Sequence, residues 1–71
     1  MSRWGSKKAK HVLAVLLRIG WTVKRQGGTS HKVLQRKGSP NYVFAFHDGD
    51  EIGPRMMARI ARKTGLKPED L

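Results

Sequence analysis

The stretch of this chain best equipped for chemistry is Gly27-Gly28-Thr29-Ser30-His31-Lys32. Two glycines permit a sharp turn that brings backbone amides towards a ligand. Two hydroxyls then lead into a histidine, the side chain whose ordinary pKa of about 6.5 allows proton exchange near neutrality. Lys24, Arg25, Lys32, Arg36 and Lys37 flank or follow the turn, and no acid precedes it. A histidine presented amid positive charge is what a phosphodiester-handling site needs. The plain alternative is a hairpin loop that ends in an exposed histidine.

The elements around this turn must place it. Residues 1–5 read as a loose arm, with Trp4 free to fold back, and Ser6 reads as a helix N-cap. Ala9, Val12, Leu13, Leu16, Leu17 and Gly20 then recur at helical spacing, with Lys7, His11, Ala14 and Arg18 on the outward row. Gly20 supplies the left-handed stop. Residues 21–26 alternate as a strand does, with Trp21 as a lid on a small core or as a platform for a base. Residues 31–37 form a second strand. If Leu34 faces inward, His31, Val33, Gln35 and Lys37 share the other face. A turn at 38–41 leads to a third strand, with Tyr42, Phe44 and Phe46 on one face and Val43, Ala45 and His47 on the other. The spacing suits two hairpins in a three-stranded antiparallel meander.

His47-Asp48-Gly49-Asp50-Glu51 contains a fragment of a calcium loop, but the remaining ligands are missing. It reads instead as a connection whose acids favour the amino end of the following helix, with no metal. Pro54 opens that helix. Met57, Ile60, Ala61 and Thr64, extended by Met56, form its apolar stripe, and Arg55, Arg59, Arg62 and Lys63 fall outside. Gly65 stops it, Leu66 packs back, and residues 67–71 make a terminal turn.

The totals narrow the class. Seventy-one residues make one small domain, 1–71, with a thin core. The absence of cysteine excludes disulfides, thiolate metal sites and a Cys nucleophile. The longest apolar run, residues 12–17, is too short to span a bilayer, and no cleavage site follows it, so the chain reads as cytoplasmic. Fifteen Lys and Arg oppose five Asp and Glu, for a net charge of +10. Residues 1–47 hold ten bases and no acid, whereas residues 48–71 balance five against five. That asymmetry points to a polyanion or an acidic partner. A membrane surface would call for bulky aromatics on an amphipathic helix, and these helices carry none.

Helix, strand, strand, strand, helix is an α+β order in which two helices cover one face of a three-stranded antiparallel sheet. That is the layout of the double-stranded-RNA-binding domain. Within it the chain resembles the HicA, or YcfA-like, toxins of bacterial toxin–antitoxin pairs. The matching parts are Leu16-Leu17-Arg18-Ile19-Gly20-Trp21, Gly28-Thr29-Ser30-His31, the strand ending at His47, and Ile60-Ala61-Arg62-Lys63-Thr64-Gly65-Leu66. The resemblance covers residues 8–71. It implies a type II toxin that is an mRNA interferase, a ribonuclease cutting without metal or other cofactor, inhibited by a HicB antitoxin. The family's turn histidine falls on His31, and its glycine and serine fall on Gly28 and Ser30. The family often has proline two residues before its second histidine, where this chain has Ala45.

The chemistry is consistent with that expectation. RNA carries its own nucleophile, the 2′-hydroxyl, so an enzyme need only remove a proton, stabilise the phosphorane and assist the leaving oxygen. His31 is the expected base. The expected RNA-binding set is Lys24, Arg25, Gly28, Ser30, Lys32, Arg36 and Lys37, in a monomer. The general acid is not evident, since His47 reaches the site only if its strand is adjacent and its face agrees. The alternative is a non-catalytic RNA-binding module of the same fold. A DNA-binding protein ranks last, because no two tandem helices form a helix-turn-helix.

Overall fold

A computed structural model describes residues 4–28 and 30–71; the arm at residues 1–3 and Thr29 of the turn lie outside the described residues. The elements in chain order are β1 (Lys7–Lys8), α1 (Ala9–Arg18), β2 (Thr22–Gly27), β3 (His31–Gln35), β4 (Tyr42–Ala45), β5 (Glu51–Ile52) and α2 (Pro54–Thr64), followed by a 3-10 turn, Pro68–Asp70. The main sheet is antiparallel in the order β2-β3-β4, and β1 pairs with β5 in a separate two-stranded ribbon. The expected α+β meander with two helices is therefore present, and its order is compatible with the double-stranded-RNA-binding layout.

Cross-strand pairing assigns the faces. Val23 pairs with Leu34 and Leu34 with Tyr42, while Lys32 pairs with Phe44, so these side chains share one face. Leu34 and Phe44 are buried there with Ala9, Val12, Val15 and Leu16 of α1 and Met57 and Ile60 of α2. Both helices thus pack on that face. The opposite face carries His31, Val33, Val43 and Ala45, with Val43 51% exposed, and no helix or strand among the described residues packs on it.

The start of α1 differs from the sequence reading. Ser6 is not the cap. Lys7–Lys8 pair with Glu51–Ile52, and the first helical amides, of Ala9 and Lys10, donate to the carbonyls of Asp50 (2.8 Å) and Asp48 (3.2 Å). The acidic loop therefore serves the amino end of α1, not of α2, whose first turn has no acid. Its negative charge is favoured there by the helix dipole. Asp50 Oδ2 also accepts a bond from the His47 amide at 2.9 Å, which closes the loop. The inward stripe of α1 holds Ala9, Val12 and Leu16 as expected, but Leu17, expected inward, is 42% exposed, and Val15, assigned to neither row, is buried.

Trp21 is the lid that the sequence suggested. It is 1% exposed, and its Nε1 donates to the Thr64 carbonyl at 3.0 Å, tying the entry of β2 to the end of α2. Gly65 takes the left-handed φ of 79° expected of a helix stop, and Leu66 packs back as predicted. Met56, expected to extend the apolar stripe, is 36% exposed instead. Trp4 does fold back and packs against the core.

Candidate functional site

The β2–β3 hairpin builds the site. Gly27 pairs with His31, so Gly28 and Ser30 lie in the loop between the strands. Gly28 has φ +62°, and a Cβ there would meet nothing within 4 Å. Glycine is needed at this position for its backbone angle, not for space. Ser30 is half-buried behind the turn, and His31 is exposed.

A β-bulge then decides which cations join the histidine. Strict alternation along β2 would put Arg25 with Trp21 and Val23 on the inward face, where an unpaired cation is costly. The register instead shifts between Val23 and Arg25, with Lys24 as the extra residue. Arg25 consequently pairs with Val33 and lies on the open face with His31. Arg25 and His31 are diagonal neighbours across the β2–β3 pair, a spacing of about 7–8 Å between Cα atoms. Lys24 is exposed at the bulge.

The remaining expected cations are dispersed. Lys32 pairs with Phe44 on the helix side and lines a groove of about 520 Å³ with Lys10, Leu13, Leu17 and Gln26. It lies on the far side of the sheet from His31. Arg36 is half-buried, with its guanidinium carbon 4.8 Å from the centre of the Trp21 ring. Its side chain fills the space beside Gly20 and Gly65, where an added Cβ would lie 3.4 and 3.2 Å from it. Arg36 therefore seals the core lid as a cation–π partner. Lys37 is exposed beyond the far end of β3, whose last residue, Gln35, is about 13 Å along the strand from His31 at 3.3 Å per residue.

The strand adjacency on which a role for His47 depends is present. β4 is adjacent to β3, and Ala45 stands opposite His31. Ala45 continues the regular ladder at the place where a proline was the alternative. His47 follows two residues later and is exposed, as is His11 on the outward row of α1. Apolar Val33 and Val43 pair next to His31 on the same open face, a feature the period-2 pattern contained but did not distinguish from core. Among the described residues no three His, Asp or Glu side chains gather as a metal would require, and no helix is long and apolar enough to cross a membrane. Burial raises the Tyr42 phenol above its ordinary pKa, so it stays protonated at neutral pH.

A family model described as the HicA toxin of bacterial toxin–antitoxin systems matches residues 9–66 of the chain. No curated protein matches it. The match covers both helices and the three-stranded sheet, so the chain belongs to the HicA toxin family of bacterial toxin–antitoxin systems, which implies an antitoxin partner.

Proposed function

We propose that this chain is an endoribonuclease that cuts mRNA without a metal, uses His31 as general base and is held inactive by a HicB-type antitoxin. The observation that carries this reading is the register of the β2–β3 hairpin. It sets an exposed His31 at the mouth of a glycine turn with Arg25 diagonal to it on an open face. Neutral His31 accepts the proton of an RNA 2′-hydroxyl, and the oxygen attacks the adjacent phosphorus. The 5′-oxygen leaves and takes up a proton, so the products are a 2′,3′-cyclic phosphate and a 5′-hydroxyl. General-base catalysis of this kind contributes roughly 10²–10⁴-fold. Arg25 and Lys24 stabilise charge on the phosphorane, and the turn at Gly28 and Ser30 brings backbone amides close to it. The adjacency of β4 supports His47 as the proton donor to the leaving oxygen.

The decisive experiment is His31→Ala. It should abolish RNA cleavage and growth arrest while circular dichroism stays unchanged, because His31 is exposed and outside the core. His11→Ala should alter neither. Cleavage should survive EDTA, and DNA or 2′-O-methyl RNA should bind without being cut, since each lacks the free 2′-hydroxyl. Wild-type cleavage by His31→Ala would sink the catalytic reading in favour of a non-catalytic RNA-binding module.

A further inference from the structure

The outward face of α2 is a second basic surface, on the helix side of the sheet. Arg55, Arg59, Arg62 and Lys63 are all exposed, and the helix contains no acid to offset them. Their row extends about 12 Å along the axis at 1.5 Å per residue. Beside it lies a depression of about 420 Å³, lined by Tyr42, Met56, Arg59, Arg62 and Lys63. Tyr42 comes from β4, on the helix side of the sheet, paired with Leu34. Met56 is the residue that leaves the apolar stripe for the surface.

This combination is more selective than charge alone. An acidic protein surface would need only the cations. A base pair inside a duplex stays stacked on its neighbours and cannot use the ring. An unstacked nucleotide uses every feature: the ring and the thioether take the base, and the guanidinium and ammonium groups take phosphates. Met is well suited to this because its unbranched, polarisable side chain adapts to an aromatic surface.

We propose that the depression binds a nucleotide of single-stranded RNA, with its base on Tyr42 and Met56 and its flanking phosphates on Arg59, Arg62 and Lys63. The inference rests on the reading of the chain as an RNA-cutting toxin and adds a second contact to its substrate. Tyr42 is three residues, about 10 Å, along β4 from Ala45, the residue opposite His31. β4 is an edge of the three-stranded sheet, so a strand cut at His31 passes around that edge to α2. Longer RNAs are then held more tightly than fragments that end at the turn.

A fluorescent 2′-O-methyl oligoribonucleotide, which cannot be cut, tests this by anisotropy over a range of salt. The variant with Arg59→Ala, Arg62→Ala and Lys63→Ala together should bind about tenfold or more weakly. Its plot of log affinity against log salt should be shallower by about two, at roughly 0.7 per lost phosphate contact. Tyr42→Leu should weaken binding by about fivefold or more, whereas Tyr42→Phe, which keeps the ring, should bind normally. An oligonucleotide with abasic flanks should bind the unaltered protein more weakly, which tests base stacking even if Tyr42→Leu does not fold. Unchanged affinity and slope in the triple variant would overturn the proposal. So would a triple variant that binds RNA normally but loses the antitoxin, since α2 would then be a protein-docking face. Because the probe is never cut, a failure of His31→Ala to stop cleavage would remove the catalytic reading and leave this measurement standing.

Discussion

His31 and Lys32 are neighbours in sequence but face opposite sides of the sheet, and that alternation sorts the cations around the turn. Arg25 belongs with the histidine and Lys32 with the groove under α1. Arg25→Ala should therefore reduce kcat/KM on RNA by about tenfold or more, a lost charge-assisted contact being worth roughly 1.5–3 kcal/mol. Lys32→Ala should have a clearly smaller effect in the same assay. A larger effect of Lys32→Ala would move the substrate to the helix side. Arg36 is a different case, because its guanidinium lies over Trp21. Arg36→Ala should cost about 1 kcal/mol, which lowers Tm by roughly 4–8 °C in a domain this small. A melt unchanged from the unaltered protein would return Arg36 to the RNA-binding set. His47→Ala separates chemistry from affinity: loss of cleavage with RNA binding retained would identify the proton donor. The turn of the candidate site was legible in sequence because the positive φ at Gly28 favours glycine, and His31 stood out as the titratable ring beside it. The sorting of the cations was not, because Lys and Arg look alike until a register gives each one a face.

At the scale of elements, the bulge at Lys24 and the glycines do what the strand pattern could not show. Three glycines illustrate separable constraints. Gly28, Gly38 and Gly65 all have positive φ, but only at Gly65 does a neighbour, the Arg36 guanidinium, crowd an added Cβ. Gly28→Ala and Gly38→Ala should each cost about 1–2 kcal/mol from backbone strain alone. Gly65→Ala should cost more, because the Arg36 guanidinium, 3.2 Å from the added Cβ, must also give way by a few tenths of an ångström. In an Arg36→Ala background the excess should disappear, which chemical denaturation of the four proteins in the cycle would measure. α2 was readable in advance because its apolar and basic residues separate cleanly around the helix. In α1 the helix and its inward Ala9, Val12 and Leu16 were readable, but the exposure of Leu17 and the burial of Val15 were not, because residues 12–17 are all apolar and nothing local foretells the docking of the first turn on the loop at 48–50. That docking joins residues about forty positions apart and leaves no local signature.

For the whole molecule, charge and architecture are arranged together. The open face of the sheet carries Arg25 and His31, the outward face of α2 carries four more cations, and Asp48 and Asp50 lie in the loop at the amino end of α1, with Glu51 next to them in β5. Under the proposed function, an acidic antitoxin would be drawn to the same surfaces as RNA, since complementary charge speeds encounter and selects the partner. The face around His31 also offers paired Val33 and Val43, with Val43 half exposed, so a protein partner has apolar surface to cover there. RNA has less use for that surface than for the cations beside it. The antitoxin should therefore seat on the open face and displace RNA from His31. Val43→Lys should weaken antitoxin binding by about tenfold or more, a buried apolar side chain being worth roughly 1.5–3 kcal/mol. The same variant should leave the affinity for an uncuttable RNA unchanged or slightly higher, because it adds a cation to a polyanion-binding face. A competition titration distinguishes the outcomes. If antitoxin and RNA bind the unaltered toxin together, with neither displacing the other, occlusion of His31 is rejected and inhibition must act through a surface away from the open face.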